Sequence, residues 1–241
     1  MSAAPIAAVA VVVPVRDEEE RLERCLAALA SALAAVGTRV ATQTMIVLDG
    51  CSDRSAQIAA RWPFGRIEQA GLGVGRARAA GVEAAIGRLG GIAPDRVWIA
   101  NTDADSQVPR DWLSRQVDLA DGGWDTVLGT VAPDPLDLPE VLRDTSVSHA
   151  ARSGAPVYGA NLGVRASRYL AAGGFAPVYE HEDARLVAAL RAGGARITSD
   201  RDLTVLTSGR PVGRAPGGYA GYLRRAAELA RAAPDSLEEA G

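Results

Sequence analysis

Lysine is absent from this sequence, and all 26 basic residues among its 241 are arginine. That absence excludes a Walker-type phosphate loop, whose lysine reaches the terminal phosphates, and any Schiff-base chemistry on a protein lysine. An anion bound here is held by arginine, backbone amides or a metal. Cysteine is scarce: the 2 cysteines, Cys25 and Cys51, cannot build a disulfide framework or a cysteine-rich zinc site. They read as reduced, mostly buried thiols of a cytoplasmic protein. The formal net charge is only −3, so no nucleic-acid partner is expected. Long hydrophobic runs are missing too. The apolar stretch from Ile6 to Val15 is too short to span a bilayer, lacks the basic start of a secretory signal, and is followed at once by Arg16 to Arg21. It reads as a buried strand. No transmembrane segment is expected, and peripheral contact with a membrane surface stays open.

Hydrophobic residues make up 48% of the chain, enough for a sizeable core, and the length suits a single domain. The first half alternates strand and helix. Ala8 to Val15 is valine-rich and continuous, as in a strand covered on both faces. Glu18 to Val36 places Leu22, Cys25, Leu26, Leu29 and Leu33 on one helical stripe. Met45 to Leu48 is a second strand ending at Asp49, and Ser52 is a plausible cap for the next helix. A glycine-rich turn, Gly71 to Gly75, leads into a helix through Arg88, and Val97 to Ala100 is a further strand. The second half predicts strands at 124–131, 161–164 and 203–206, and helices at 167–172, 182–192 and 219–233. Alternation of this kind implies an α/β fold with a mainly parallel central sheet and crossover helices. Ligands bind beyond the carboxyl ends of such strands, and Asp17, Asp49, Asp103 and Asp105 all fall there.

Three local patterns carry chemistry. Asp103-Ala104-Asp105 follows a strand and offers two carboxylates to a hard cation such as Mg2+ or Mn2+; its bland alternative is an Asx turn before the next helix. Glu180-His181-Glu182-Asp183 opens a helix, where acidic residues are also ordinary capping chemistry. Gly71-Leu72-Gly73-Val74-Gly75-Arg76-Ala77-Arg78 does not fit G-x-G-x-x-G, because Arg78 stands where the third glycine belongs. A glycine turn feeding a helix N-terminus beside two arginines still suits an anion.

Taken in order, these pieces resemble glycosyltransferase family 2, over about Val11 to Leu206. Pro14-Val15-Arg16-Asp17-Glu18-Glu19 is similar to the family's P-x-Y-N-E-E opening. Val47-Leu48-Asp49-Gly50-Cys51-Ser52-Asp53 resembles V-D-D-G-S-x-D, with leucine for the first aspartate. Ala77-Arg78-Ala79-Ala80-Gly81 resembles A-R-N-x-G. Asp103-Ala104-Asp105 matches D-x-D, and Gly173-Gly174-Phe175 with Glu182-Asp183 matches G-G-F … E-D.

The resemblance implies a GT-A fold, a Rossmann-like three-layer sandwich, and an inverting transfer of sugar from a nucleotide-diphosphate sugar to an acceptor hydroxyl. It implies a divalent metal on Asp105 with Asp103 assisting, and Asp183 as catalytic base. Pro14, Arg16, Glu18, Asp49, Arg78, Asp103 and Arg210 are the residues expected to bind the donor. Residues 1–105 would then be the nucleotide-binding half, 106–207 the acceptor and catalytic half, and 208–241 a C-terminal loop and helix. No family motif covers 208–218; its arginines among glycines and prolines suggest a loop in which Arg210 and Arg214 close over the diphosphate. Two other readings are a non-catalytic nucleotide-sugar-binding or scaffold homologue, against which Asp103, Asp105 and Asp183 argue, and a nucleotidyltransferase. The latter would want a glycine- and arginine-rich signature with lysine after the first strand, where this chain has Arg16 to Glu20. Donor sugar, nucleotide base and acceptor are not legible.

Overall fold

A computed structural model describes residues 4–143, 157–213 and 218–232. The chain runs β1 (Ala8–Val15), α1 (Leu22–Val36), β2 (Ala41–Asp49), α2 (Ser55–Ala60), β3 (Gly65–Gln69), α3 (Val74–Arg88) and β4 (Val97–Asn101). It continues through α4 (Trp112–Asp121), β5 (Thr126–Pro133), α5 (Glu140–Arg143), β6 (Leu162–Arg165), α6 (Ala166–Ala171), α7 (Glu182–Ala192), β7 (Ile197–Thr207) and α8 (Tyr219–Ala232). The strands form a 7-stranded sheet in the order β3-β2-β1-β4-β6-β5-β7. β3, β2, β1 and β4 are mutually parallel, and β5 pairs in parallel with β7; β6 runs antiparallel to both of its neighbours. Mainly parallel pairing is therefore as expected, with one reversed strand that the sequence pattern does not mark.

Period-two alternation explains the layers. Val9, Val11, Val13 and Val15 of β1 face one core with α1, α2 and α4, whereas Ala8, Ala10 and Val12 face another with α3, α6 and α7. Covered on both sides, β1 reads as unbroken apolar sequence. α3 lies so close to the sheet that a Cβ on Gly81 would come within 2.5 Å of Val12 and 2.9 Å of Val47. A third, smaller cluster joins α5 to α8 through Leu138, Leu142, Leu223 and Ala227.

Three expectations shift. β3 was not anticipated as a full strand, because its residues are only partly covered and offer no apolar run. β7 extends over Ile197–Thr207 rather than 203–206, since its first half is an exposed stretch paired to β5 across a register break between Gly129 and Thr130. Ser52 does not cap α2: Asp53 Oδ1 accepts the Ser55 N–H at 2.9 Å, while Ser52 turns to Asp17.

Candidate functional site

β1, β2 and β4 are adjacent and parallel, so their carboxyl ends deliver Pro14 to Glu18, Asp49 and Asp103 to Asp105 to one rim. A cleft of about 1690 Å³ opens above that rim. Pro14, Arg16, Glu18, Asp49, Arg78, Asp103, Asp105, Asp183 and Arg210 all line it, so the structure brings every described residue expected at the site into one cavity. Arg214, half of the expected arginine loop, lies outside the described residues, as does His149.

At one end, Asp49 is buried and accepts the backbone N–H groups of Leu72 at 2.7 Å and Gly73 at 2.9 Å. Its carboxylate thus shapes the glycine turn as well as facing the cleft. Gly73 has φ +94°, and the Tyr179 ring sits so close above it that any Cβ there would collide.

The centre is a network of carboxylates threaded by two guanidiniums. Arg78 is fully buried; its Nε donates to Glu182 Oε1 at 3.0 Å and its Nη2 to Asp103 Oδ1 at 2.5 Å. Burial works against its charge, but Asp103, Glu182 and Asp183 outweigh that and hold the guanidinium charged. Arg210 is anchored on Glu18 at 3.0 and 2.5 Å and on Asp105 Oδ2 at 3.2 Å. Burial, with Asp103 and Glu18 as negative neighbours, pushes the Asp105 carboxyl up to about 6 despite Arg210. Burial also raises Asp103, and Arg78 only partly offsets it. Asp183 Oδ2 accepts the Gly159 N–H at 2.7 Å, which fixes the carboxylate at the mouth of α7. His181, immediately before, adopts a left-handed conformation with φ 61°, and this turns the Glu182-Asp183 pair into the cleft.

Glu18, Asp103, Asp105, Glu182 and Asp183 outnumber the two arginines around the D-x-D. That surplus of oxygen ligands, with one carboxyl already pushed toward neutrality by its neighbours, is the chemistry of a place for a divalent cation. Two carboxylates are few for a cation alone, but suffice when a diphosphate supplies the other oxygens. A separate trio, Asp17, Cys51 and Asp53, is close enough to share an ion. Its carboxylates already accept hydrogen bonds from Ser52, Asp53, Ser55 and Glu19, so it ties the β1 and β2 loops together.

Sequence reading did not anticipate Gly159, the partner of Asp183, which no motif marks. It gave Glu182 an ordinary capping role, but Glu182 is buried against Arg78. It also missed Tyr219 and Tyr222, whose i, i+3 spacing on α8 was the available signal.

A sheet of this order with a carboxylate-lined cleft over its switch point defines a doubly wound α/β protein with its polar site where such sheets bind ligands. Residues 10–153 match the model of Glycosyl transferase family 2, and the chain belongs to that family. It is 32% identical over 129 residues to the dolichyl-phosphate hexose transferase of Haloferax volcanii, covering 52% of this chain and 53% of the relative. It is 32% identical over 132 residues to the undecaprenyl-phosphate 4-deoxy-4-formamido-L-arabinose transferase of Edwardsiella ictaluri, covering 54% of this chain and 38% of that protein. The chain thus spans about half or less of the length of these relatives. Among solved structures, the Pyrobaculum calidifontis mannosyltransferase in complex with GDP-Man and Mn2+ superposes with a TM-score of 0.66 at 19% identity, over 92% of this chain and 61% of that one. Staphylococcus aureus TarS 1–349 in complex with UDP-GlcNAc gives 0.63 at 13% identity, over 93% of this chain and 66% of that one. The fold is that of the GT-A glycosyltransferases.

Proposed function

We propose that this protein transfers a sugar from a nucleotide-diphosphate sugar to an acceptor oxygen, with inversion at the anomeric carbon. The observation that carries the reading is the meeting of Asp103, Asp105 and Asp183 in one cleft at the ends of parallel strands, in a family 2 chain. In this reading the first 105 residues hold the nucleoside around Pro14, Arg16 and Asp49, residues 106–207 supply the catalytic half, and Arg210 and α8 flank the cleft within a single domain. Asp105, with Asp103, would hold Mn2+ or Mg2+, which supplies charge for the leaving diphosphate. Arg210 stands beside Asp105 and is placed to meet the same diphosphate. Arg78 keeps Asp103 and Glu182 in place rather than reaching outward. Asp183 would accept the acceptor's proton as its oxygen attacks opposite the leaving group, so no enzyme nucleophile is needed. The free thiols Cys25 and Cys51 support a cytoplasmic site of action.

A second reading of the acceptor comes from the two relatives named above, a dolichyl-phosphate and an undecaprenyl-phosphate transferase. A phosphate oxygen with a second pKa near about 6 is largely ionised at neutral pH and needs no base. Asp183→Asn separates the two. With a hydroxyl acceptor, kcat falls on the order of 10²-fold or more at unchanged donor affinity. With a phosphate acceptor, kcat changes by only a fewfold. Loss of donor binding with normal kcat at saturating donor would remove Asp183 from catalysis altogether. Slow hydrolysis of the sugar nucleotide serves as the first assay.

A further inference from the structure

The end of the cleft over β1 and β2 is built around the glycine turn 71–75, and no motif says which base it takes. In sequence the turn suits an anion, but three of its amides are already engaged. Asp49 accepts the N–H groups of Leu72 and Gly73, and the Gly75 N–H donates to the Val178 carbonyl at 3.2 Å. What the glycines provide is close approach. A Cβ on Gly50 would come within 2.9 Å of Gly71 Cα, so the end of β2 lies directly on the turn. A Cβ on Gly75 would overlap the Ala176 carbonyl oxygen, and one on Gly73 would come within 2.7 Å of the Tyr179 ring. The segment 176–179 is thereby fastened to the turn, and Tyr179 with it.

Two flat side chains flank this turn. Arg16 follows β1, and both of its Nη atoms lie 3.8 Å from where a Cβ on Gly71 would stand. Tyr179 stands two residues further along, over Gly73. Both line the cleft. Tyr179 is 70% exposed. Arg16 is exposed as well, and makes no ion pair or hydrogen bond among the described residues. Arg78 and Arg210, by contrast, are tied to carboxylates. A guanidinium and a phenol ring with open faces are surfaces on which a planar heterocycle stacks.

Hydrogen-bonding capacity narrows the choice of heterocycle. Asp49 can only accept and Arg16 can only donate. Each Asp49 oxygen spends one lone pair on a backbone N–H and keeps the other. A base read by this pair needs two adjacent donors for the carboxylate and two adjacent acceptors for the guanidinium. Guanine has both, N1–H beside its N2 amino group and O6 beside N7. Uracil has one N–H between two carbonyls. Adenine sets a donor beside N7 and an acceptor at N1, and cytosine has one amino donor beside a ring acceptor. None of these three matches.

We infer that Arg16, Asp49 and Tyr179 form the base slot and that the slot selects guanine, so that the donor is a guanosine-diphosphate sugar. The inference rests on the glycosyl-transfer reading and adds to it the base and the residues that discriminate it. Arg16 reads O6 and N7, Asp49 reads the N–H edge, and Tyr179 covers the ring.

Calorimetry on the full chain with Mn2+ tests this with GDP, UDP, ADP and 7-deaza-GDP, in which a C–H replaces N7. GDP should bind about tenfold or more tightly than UDP or ADP. On the parent, 7-deaza-GDP should bind several-fold more weakly than GDP; on Arg16→Leu the two should be equal. Arg16→Leu should weaken GDP by about tenfold and leave UDP as it was, which also shows that the fold stands. Tyr179→Ala, at another exposed position, should weaken GDP and UDP alike, by about fivefold or more. The inference is overturned if UDP or ADP matches GDP, if Arg16→Leu keeps the preference, if 7-deaza-GDP equals GDP on the parent, or if Tyr179→Ala weakens neither nucleotide. A preference for UDP would leave the glycosyl-transfer reading standing. Binding of no nucleotide would sink that reading and this inference together.

Discussion

Asp105 shows how a single residue trades stability for a function. Its carboxyl is pushed up to about 6 by burial and by Asp103 and Glu18, so the folded chain keeps a proton there that the unfolded chain releases near its ordinary value of 3.8. Between those values the native state binds more protons, and stability falls as pH rises through that window. Asp105→Asn removes the penalty. The variant should match the parent near pH 4 and be more stable at pH 7, by up to a few kcal/mol. Urea unfolding at the two pH values checks this; an equal difference at both would detach the effect from Asp105. The same variant should lose metal-assisted nucleotide binding. Arg78 is the reverse case, a buried cation between Asp103 and Glu182 whose removal leaves the buried Glu182 carboxylate without a counter-charge.

Among elements, the segment after β7 has the most to do. It carries Arg210 across to Glu18 after β1 and to Asp105 after β4, and Ser208 donates to Asp137 at 2.9 Å. The guanidinium therefore stands on the carboxylate that would hold the metal. A cation held by Asp105 would have to displace it, which would leave it free to meet a diphosphate. Arg210→Met should raise the affinity for Mn2+ alone by several-fold, since a competing positive charge is gone, and weaken nucleotide diphosphate in the presence of Mn2+. Free Mn2+ measured by electron paramagnetic resonance reads the first effect and calorimetry the second. Unchanged Mn2+ affinity would mean that the arginine and the metal do not compete. α8, by contrast, belongs to a separate small cluster with α5.

Viewed whole, the molecule is a cleft lined by carboxylates over a mainly parallel sheet, with a less regular cover that includes 134–143, 157–161, 208–213 and 218–229. A ligand that binds only the folded state stabilises it by mass action, about 2.7 kcal/mol at a hundred times its Kd. For a chain of this size that amounts to roughly 5–10 °C in Tm. The cognate nucleotide with Mn2+ should raise Tm by that much, and EDTA should abolish most of the gain. A shift that EDTA leaves intact would exclude the cation from donor binding. No helix among the described residues is long and apolar enough to cross a membrane.

The local sequence was enough for the strands covered on both faces, for the helix stripe of α1, and for the carboxylates at the ends of β1, β2 and β4. Those features follow from hydrophobic periodicity and from where a parallel sheet leaves its loops, and both are written along the chain. The reversed β6 was not legible, because direction within a sheet is set by the connection and not by composition. Nor was the pairing of Arg78 with Asp103 and Glu182, which lie 25 and 104 residues away. Gly159 holds Asp183 through a backbone N–H that every residue but proline has, so no side chain announces it. Chain-local physics determined most of the elements and which carboxylates stand at the strand ends; long-range packing alone decided the direction of β6 and which charges neutralise one another, because those depend on residues far apart in the chain.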